Sequence, residues 1–316
     1  MNPKDTRIVF MGTPAFAVAS LDALVKAGFT ICAVVTAPDK PAGRGLQLQQ
    51  SAVKKYALEN NLAVLQPTKL KDPEFVEALK KLDAHLFVVV AFRMLPEVVW
   101  NMPPMGTINV HGSLLPSYRG AAPINWAVIN GEKETGVTTF KLKAAIDTGN
   151  ILLQEKLPFS ESDTAGTIHD KMMVLGANLL VTTLTKLITH TLVEKEQETI
   201  INEDPSLLKH APKIFTETCT IDWTQDGASI YNLIRGLSPF PGALTKLDDK
   251  IFKIFAAQKE ICNHAHLAGA TVTDHKTYLK FACADGYIHV LDLQLEGKKR
   301  MQVQDFLRGY KINSAL

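Results

Sequence analysis

Asn109 and His111, two residues apart in the run GTINVHGSLLP, are the first side chains whose types and spacing can do chemistry. In an extended strand, residues i and i+2 project from one face, so the amide and the imidazole enter one space. Gly112 and Pro116 then turn the chain away. An amide donates hydrogen bonds without carrying charge, and an imidazole exchanges a proton near neutral pH. A strand end that carries both and then turns sharply presents these groups rather than packing them. The pair could equally cap a buried strand through hydrogen bonds, and the spacing alone leaves both readings open. The carboxylate of interest is Asp147 in AAIDTGNILLQ. Asp-Thr-Gly is first a turn signal, in which Asp bonds the backbone that follows and Gly accepts a positive φ.

Other chemistries find little support. FMGTPAFA has one glycine of a dinucleotide-binding turn, but Pro14 stands where a second is needed. AGRGLQL lacks the Lys-Ser/Thr of a P-loop, and Ser113 lacks the Gly-x-Ser-x-Gly elbow of a serine nucleophile. His264 and His266 have no further ligands in a metal-site spacing, so no metal is expected.

The elements that must hold these residues follow from periodicity. Residues 7–12, 30–37, 62–67, 85–91 and 106–111 read as strands, and 14–27, 50–60, 72–81, 121–130 and 164–190 as helices. Strands alternating with amphipathic helices demand crossovers, hence a Rossmann-like α/β domain with a mainly parallel sheet. Uninterrupted apolar runs such as LFVVV suit a sheet covered on both faces. Ligands of such sheets gather at the carboxyl ends of strands near the switch in strand order, and Asn109 and His111 sit at such an end. The stretch from Ala37 to Gln49 shows no periodicity and is long for a strand-to-helix connection. With Lys40, Arg44 and two glycines it reads as a cationic flap over an anionic partner.

After a charged, aperiodic stretch (191–208), a helix near 225–236 precedes closely spaced strands at 242–247, 250–258, 277–284 and 287–295. This pattern predicts a small antiparallel β-barrel of the OB-like kind. The expected division is a catalytic domain over 1–190, a linker over 191–208 and a barrel domain over 209–316. The last of these holds 14 basic against 11 acidic residues, within a net charge of +2 for all 316 residues. GKKR at 297–300 is a basic turn. A hydrophobic content of 46% and four scattered cysteines fit a reduced, soluble, cytoplasmic protein, and no membrane partner is expected.

INVHGSLLPSYRGAAPI, DTGNILLQ, RIVFMGTPAFA and APDKPAGRGLQLQQSAVK together resemble the folate-dependent formyltransferases along nearly the whole chain. RGAAPI, the arginine-bearing loop, APKI at 211–214 and IDW at 221–223 resemble the branch that acts on methionyl-tRNA. The resemblance implies a catalytic trio of Asn109, His111 and Asp147. It also implies a folate site lined by Ser113, Leu114, Leu115 and Pro116, and an Arg44 that enters the tRNA acceptor stem. The implied reaction moves the formyl group of 10-formyltetrahydrofolate, a co-substrate, to the α-amino group of methionyl initiator tRNA in translation initiation. VAFRMLP, around Phe92 and Arg93, departs from the family's usual aromatic and glycine, and Ser117 stands where a basic residue is frequent. The rivals are a formyltetrahydrofolate hydrolase, a formyltransferase for another amine, and a non-catalytic RNA-binding protein.

Overall fold

The computed structural model describes residues 2–42 and 47–313. Its first elements are β1 (Arg7–Gly12), α1 (Ala15–Lys26), β2 (Thr30–Val35), β3 (Lys40–Ala42), β4 (Gln47–Gln49) and α2 (Ala52–Glu59). Next come β5 (Val64–Leu65), α3 (Pro73–Lys81), β6 (Leu86–Val90), α4 (Glu97–Trp100), β7 (Thr107–His111) and β8 (Arg119–Gly120). α5 (Pro123–Ile129), β9 (Glu134–Lys141), β10 (Ile151–Pro158), α6 (Ala165–Ile188), α7 (Gln197–Glu203), β11 (His210–Ala211) and α8 (Thr216–Cys219) follow. The chain ends through α9 (Gly227–Gly236), β12 (Ala243–Leu247), β13 (Lys250–Ile261), β14 (Thr271–Thr273), β15 (Leu279–Cys283), β16 (Gly286–Leu295), β17 (Met301–Gln302) and α10 (Val303–Gly309).

Two compact units are formed, and they interleave in sequence. Residues 1–120, 136–157 and 169–210 make one, and residues 121–135, 158–168 and 211–316 make the other.

The first unit is built on a seven-stranded sheet in the order β10-β9-β7-β6-β1-β2-β5. β1 runs parallel to both β2 and β6, and β6 parallel to β7; β9 is antiparallel to β7. The strand order therefore switches at β1, the expected doubly wound arrangement. All five residues of β6 are buried, as its unbroken LFVVV run requires. Local signals set the helix starts. Ser51 accepts a hydrogen bond from Lys54 N (3.0 Å) at the head of α2, and Asp72 caps α3 ahead of Pro73. Gly12 is needed where β1 meets α1, because a Cβ there would lie 2.6 Å from that of Ala17. α6 is long and apolar enough to span a membrane, yet Met172, Leu180, Thr183 and Leu184 are fully buried. Gly176 packs against Val110 and Val137, so α6 covers the sheet as a core helix.

The second unit carries an antiparallel sheet in the order β12-β13-β16-β15-β14, with β17 on β16. The twelve-residue β13 pairs with β12 over residues 250–254 and with β16 over residues 252–261, and its register shifts around Ala256. Such irregularities curl a sheet. The expected small barrel is thus realised as a half-barrel, wrapped around Phe252, Phe281, Ile288, Leu293 and Phe306. GKKR forms the exposed tip between β16 and β17.

The segments expected to be irregular are partly ordered. β3 and β4 pair as an antiparallel ribbon within the 37–49 stretch. The 191–208 stretch contains α7 and a 3-10 turn at Pro205–Leu207.

Candidate active site

β7 brings Asn109 and His111 to the carboxyl edge of the sheet. Asn109 lies opposite Val89 of β6 and Phe140 of β9, and His111 opposite Thr138. Two residues apart on one strand, they share a face. Asn109 is half-buried, and its amide forms no side-chain hydrogen bond among the described residues.

The His111 ring is 7% exposed and meets the edge of Phe140. Its Nε2 lies 2.9 Å from Tyr118 O, and its Nδ1 lies 3.7 Å from Asp147 Oδ2. A carbonyl oxygen can only accept, so Nε2 carries a proton and Nδ1 is the nitrogen left to face a reactant. The 3.7 Å separation from Asp147 is too long for a hydrogen bond.

Asp147 takes φ 55°, and its Oδ2 accepts from Gly120 N at 2.9 Å. These observations correct the reading of the Asp-Thr-Gly turn: Asp147 itself adopts the left-handed conformation, and its carboxylate bonds a distant backbone N–H. Asp tolerates that conformation better than most residues. Gly149 serves close approach instead, since a Cβ there would lie 1.6 Å from Lys141 O.

The SLLP run forms a turn tied to its own sheet. Ser113 is fully buried, with Oγ donating to Ser117 O at 2.6 Å. Leu115, 2% exposed, packs with Phe140 and Ile151. The Thr138 hydroxyl donates to Ser113 O (2.7 Å) and accepts from Leu115 N (3.0 Å), and Gln154 Nε2 donates to Leu115 O at 2.9 Å. Pro116 is buried as well, whereas Leu114 is half-buried. Leu114 is the side chain of the four with surface to offer a ligand.

Arg93 extends from the end of β6 to donate to Pro67 O (2.8 Å) and Thr68 O (3.1 Å), which joins the edges of two strand-end loops. Arg44 lies outside the described residues. The base of its loop is fixed: Asp39 pairs with Lys54 at 2.5 Å and accepts from Gln66 at 2.8 Å. The Lys54 ammonium, followed by Gln66, holds the Asp39 carboxyl below its ordinary range.

Sequence reasoning missed two residues at the site. Arg119 is half-buried, and burial lowers its guanidinium from the ordinary value against the opposing pull of the Glu198 and Asp147 carboxylates. Gln197 opens α7 and is 1% exposed. A glutamine in a charged, aperiodic stretch carries no sequence signal of burial. Among the described residues, no group of three or more His, Cys, Asp or Glu converges as a metal site would.

Comparison with known proteins shows the family. Residues 6–184 match the family described as formyl transferase, and residues 213–311 match the formyl transferase C-terminal domain. A methionyl-tRNA formyltransferase of Bacteroides thetaiotaomicron is 50% identical over 320 residues, covering 99% of this chain and 98% of the relative. One from Parabacteroides distasonis is 53% identical over 317 residues, covering 98% of each. Two solved structures show the same fold at lower identity. WlaRD, a sugar 3N-formyl transferase crystallised in the presence of dTDP and 5-N-formyl-THF, gives a TM-score of 0.66 at 19% identity, covering 93% of this chain and 99% of that one. HypX from Aquifex aeolicus in complex with tetrahydrofolic acid gives 0.65 at 17% identity over 97% of this chain, which spans about half (48%) of HypX. From the paired strand-end residues to the half-barrel, the chain belongs to the formyl transferase family and, within it, to the methionyl-tRNA formyltransferases.

Proposed function

We propose that this chain transfers the formyl group of 10-formyltetrahydrofolate to the α-amino group of methionyl initiator tRNA. The observation that carries the reading is identity of about 50% to methionyl-tRNA formyltransferases over essentially the full length of both chains. The hydrolase, the other amine acceptors and a non-catalytic RNA-binding role would each leave that full-length likeness without an explanation.

The folate supplies an activated formyl group on nitrogen. The unspent Asn109 amide fits this need, because its N–H can donate to the formyl oxygen as negative charge develops there when the amine adds. A donor of that kind is worth roughly 10² to 10³ in rate. His111 receives the proton lost by the attacking amine at Nδ1, the nitrogen not committed to Tyr118 O. Asp147 balances the resulting imidazolium across 3.7 Å. His111 returns the proton to the folate nitrogen as the carbon–nitrogen bond breaks, so the network ends as it began. Leu114, Ser113, Leu115 and Pro116 shape the folate wall, with Leu114 supplying apolar contact and the other three holding the turn.

For the second substrate, we assign Arg44 to the acceptor stem. An arginine presents a planar fork to phosphates and stacks on unpaired bases, and the same stretch of sequence also holds Lys40 and two glycines. The functional division runs from a folate-binding catalytic part (1–190) through the 191–208 connection to an OB-like, tRNA-binding part (209–316), acting in the cytoplasm.

The test is an acceptor comparison with purified protein and 10-formyltetrahydrofolate. Charged initiator tRNA should be formylated, whereas uncharged tRNA and water should give no product above background. Release of formate at the same rate with and without charged tRNA would make the chain a hydrolase.

A further inference from the structure

The Gln197 amide is surrounded by partners that fix its orientation. Arg119 has only N–H groups, so the Gln197 atom that receives Nε at 3.0 Å and Nη2 at 2.7 Å is the oxygen. The carbonyls of Asp147 and Gly149 can only accept, so the atom facing them at 2.9 and 2.7 Å is the NH2 group. Both amide hydrogens and both oxygen lone pairs are thus used, in a side chain 1% exposed. The two carbonyls bracket the turn in which Asp147 takes its left-handed conformation, one that L-residues disfavour and that its surroundings must impose.

Three consecutive residues feed this arrangement. Tyr118 O holds His111 Nε2, the Arg119 guanidinium holds Gln197, and Gly120 N holds Asp147 Oδ2. The flanks are pinned too. Ile151 and Lys195 exchange backbone hydrogen bonds of 2.8 and 2.9 Å, and Lys141 pairs with Glu194 at 2.5 Å.

We infer that Gln197, oriented by Arg119, is a positioning residue that holds Asp147 in place beside His111. Gln197 touches neither imidazole nor carboxylate directly; it acts by fixing the main chain that presents the carboxylate. The inference rests on the formyl-transfer reading for the identity of the reaction, though the geometry it describes does not.

The test uses the full chain with Gln197→Met, which keeps length and volume but has no hydrogen-bonding amide. The expected result is a fall in kcat of roughly 10- to 100-fold, with KM for both substrates changed by no more than about 2-fold. In an Asp147→Asn background the same substitution should cost less than about 3-fold, because the group it positions is already impaired. The imidazole NMR signals of His111 should move in Gln197→Met as they do in Asp147→Asn, a readout that needs no turnover. If Gln197→Met does not fold, Gln197→Glu keeps a partner for Arg119 while opposing the two carbonyls, and the same losses are expected of it. Wild-type kcat, an equal loss in the Asp147→Asn background, or an unmoved His111 signal would overturn the inference. Failure of the wild-type protein to formylate charged tRNA, with His111 still responding, would instead overturn the functional reading alone.

Discussion

At Asp147, Gly149 and Lys141, fractions of an ångström decide whether the site exists. The carbonyl of Lys141 occupies the place a Gly149 side chain would fill, at 1.6 Å from an ideal Cβ. Gly149→Ala must therefore push two backbone segments apart, at a cost of ~3 kcal/mol or more. Calorimetry should show a melting temperature about 5–10 °C lower; an unchanged one would mean the turn relaxes freely and does not hold Asp147. At this scale the sequence was informative where a short-range rule applied. Period two put Asn109 and His111 on one face, and Asp-Thr-Gly marked a turn. It was silent where partners are far apart in the chain: the links from Gln197 to Arg119 and to Asp147 span 78 and 50 residues, and nothing local to a glutamine announces them.

Most elements with a full period were legible, and so was the two-residue β5 within the expected 62–67 strand. The strands β1, β2, β6, β7, β13 and β16 and the helices α1, α2, α3, α6 and α9 carry enough apolar positions to display a period. The three-residue strands β3, β4 and β14 cannot, so the stretch over residues 37–49 read as an aperiodic cationic flap and its ribbon went unseen. The curled sheet of the second unit also offers a pH test. Glu260 on β13 accepts from His289 Nε2 at 2.5 Å and from Lys280 Nζ at 2.9 Å across the ladder. His289, then Lys280, hold its carboxyl down from 4.5 to about 2. A carboxyl depressed on folding adds stability above its unfolded value, and that stability is lost as pH falls toward the folded one. Glu260→Gln should therefore lower the melting temperature by a few degrees at neutral pH, a small effect because the group is partly exposed. The gap should close between pH 4.5 and about 2; a gap independent of pH would show that packing, not charge, is responsible.

Across the whole molecule, the two compact units are woven from interleaved segments, with residues 121–135 and 158–168 grouped with 211–316. A composition shift along the chain reveals that there are two folds but not that early segments join the later one. Asn125, for example, donates to Gly236 O at 2.7 Å, and Arg235 to Asp163 O at 3.1 Å. We propose that Asn109, His111 and Asp147 together carry formyl transfer to charged tRNA. Single-turnover formylation with saturating 10-formyltetrahydrofolate and methionyl initiator tRNA tests it most directly. Asn109→Ala, His111→Ala and Asp147→Ala should each slow the chemical step by roughly 10² to 10³, with folate affinity within a few-fold of wild type. A His111→Ala protein of unchanged melting temperature that formylates at the wild-type rate would remove His111 from the chemistry.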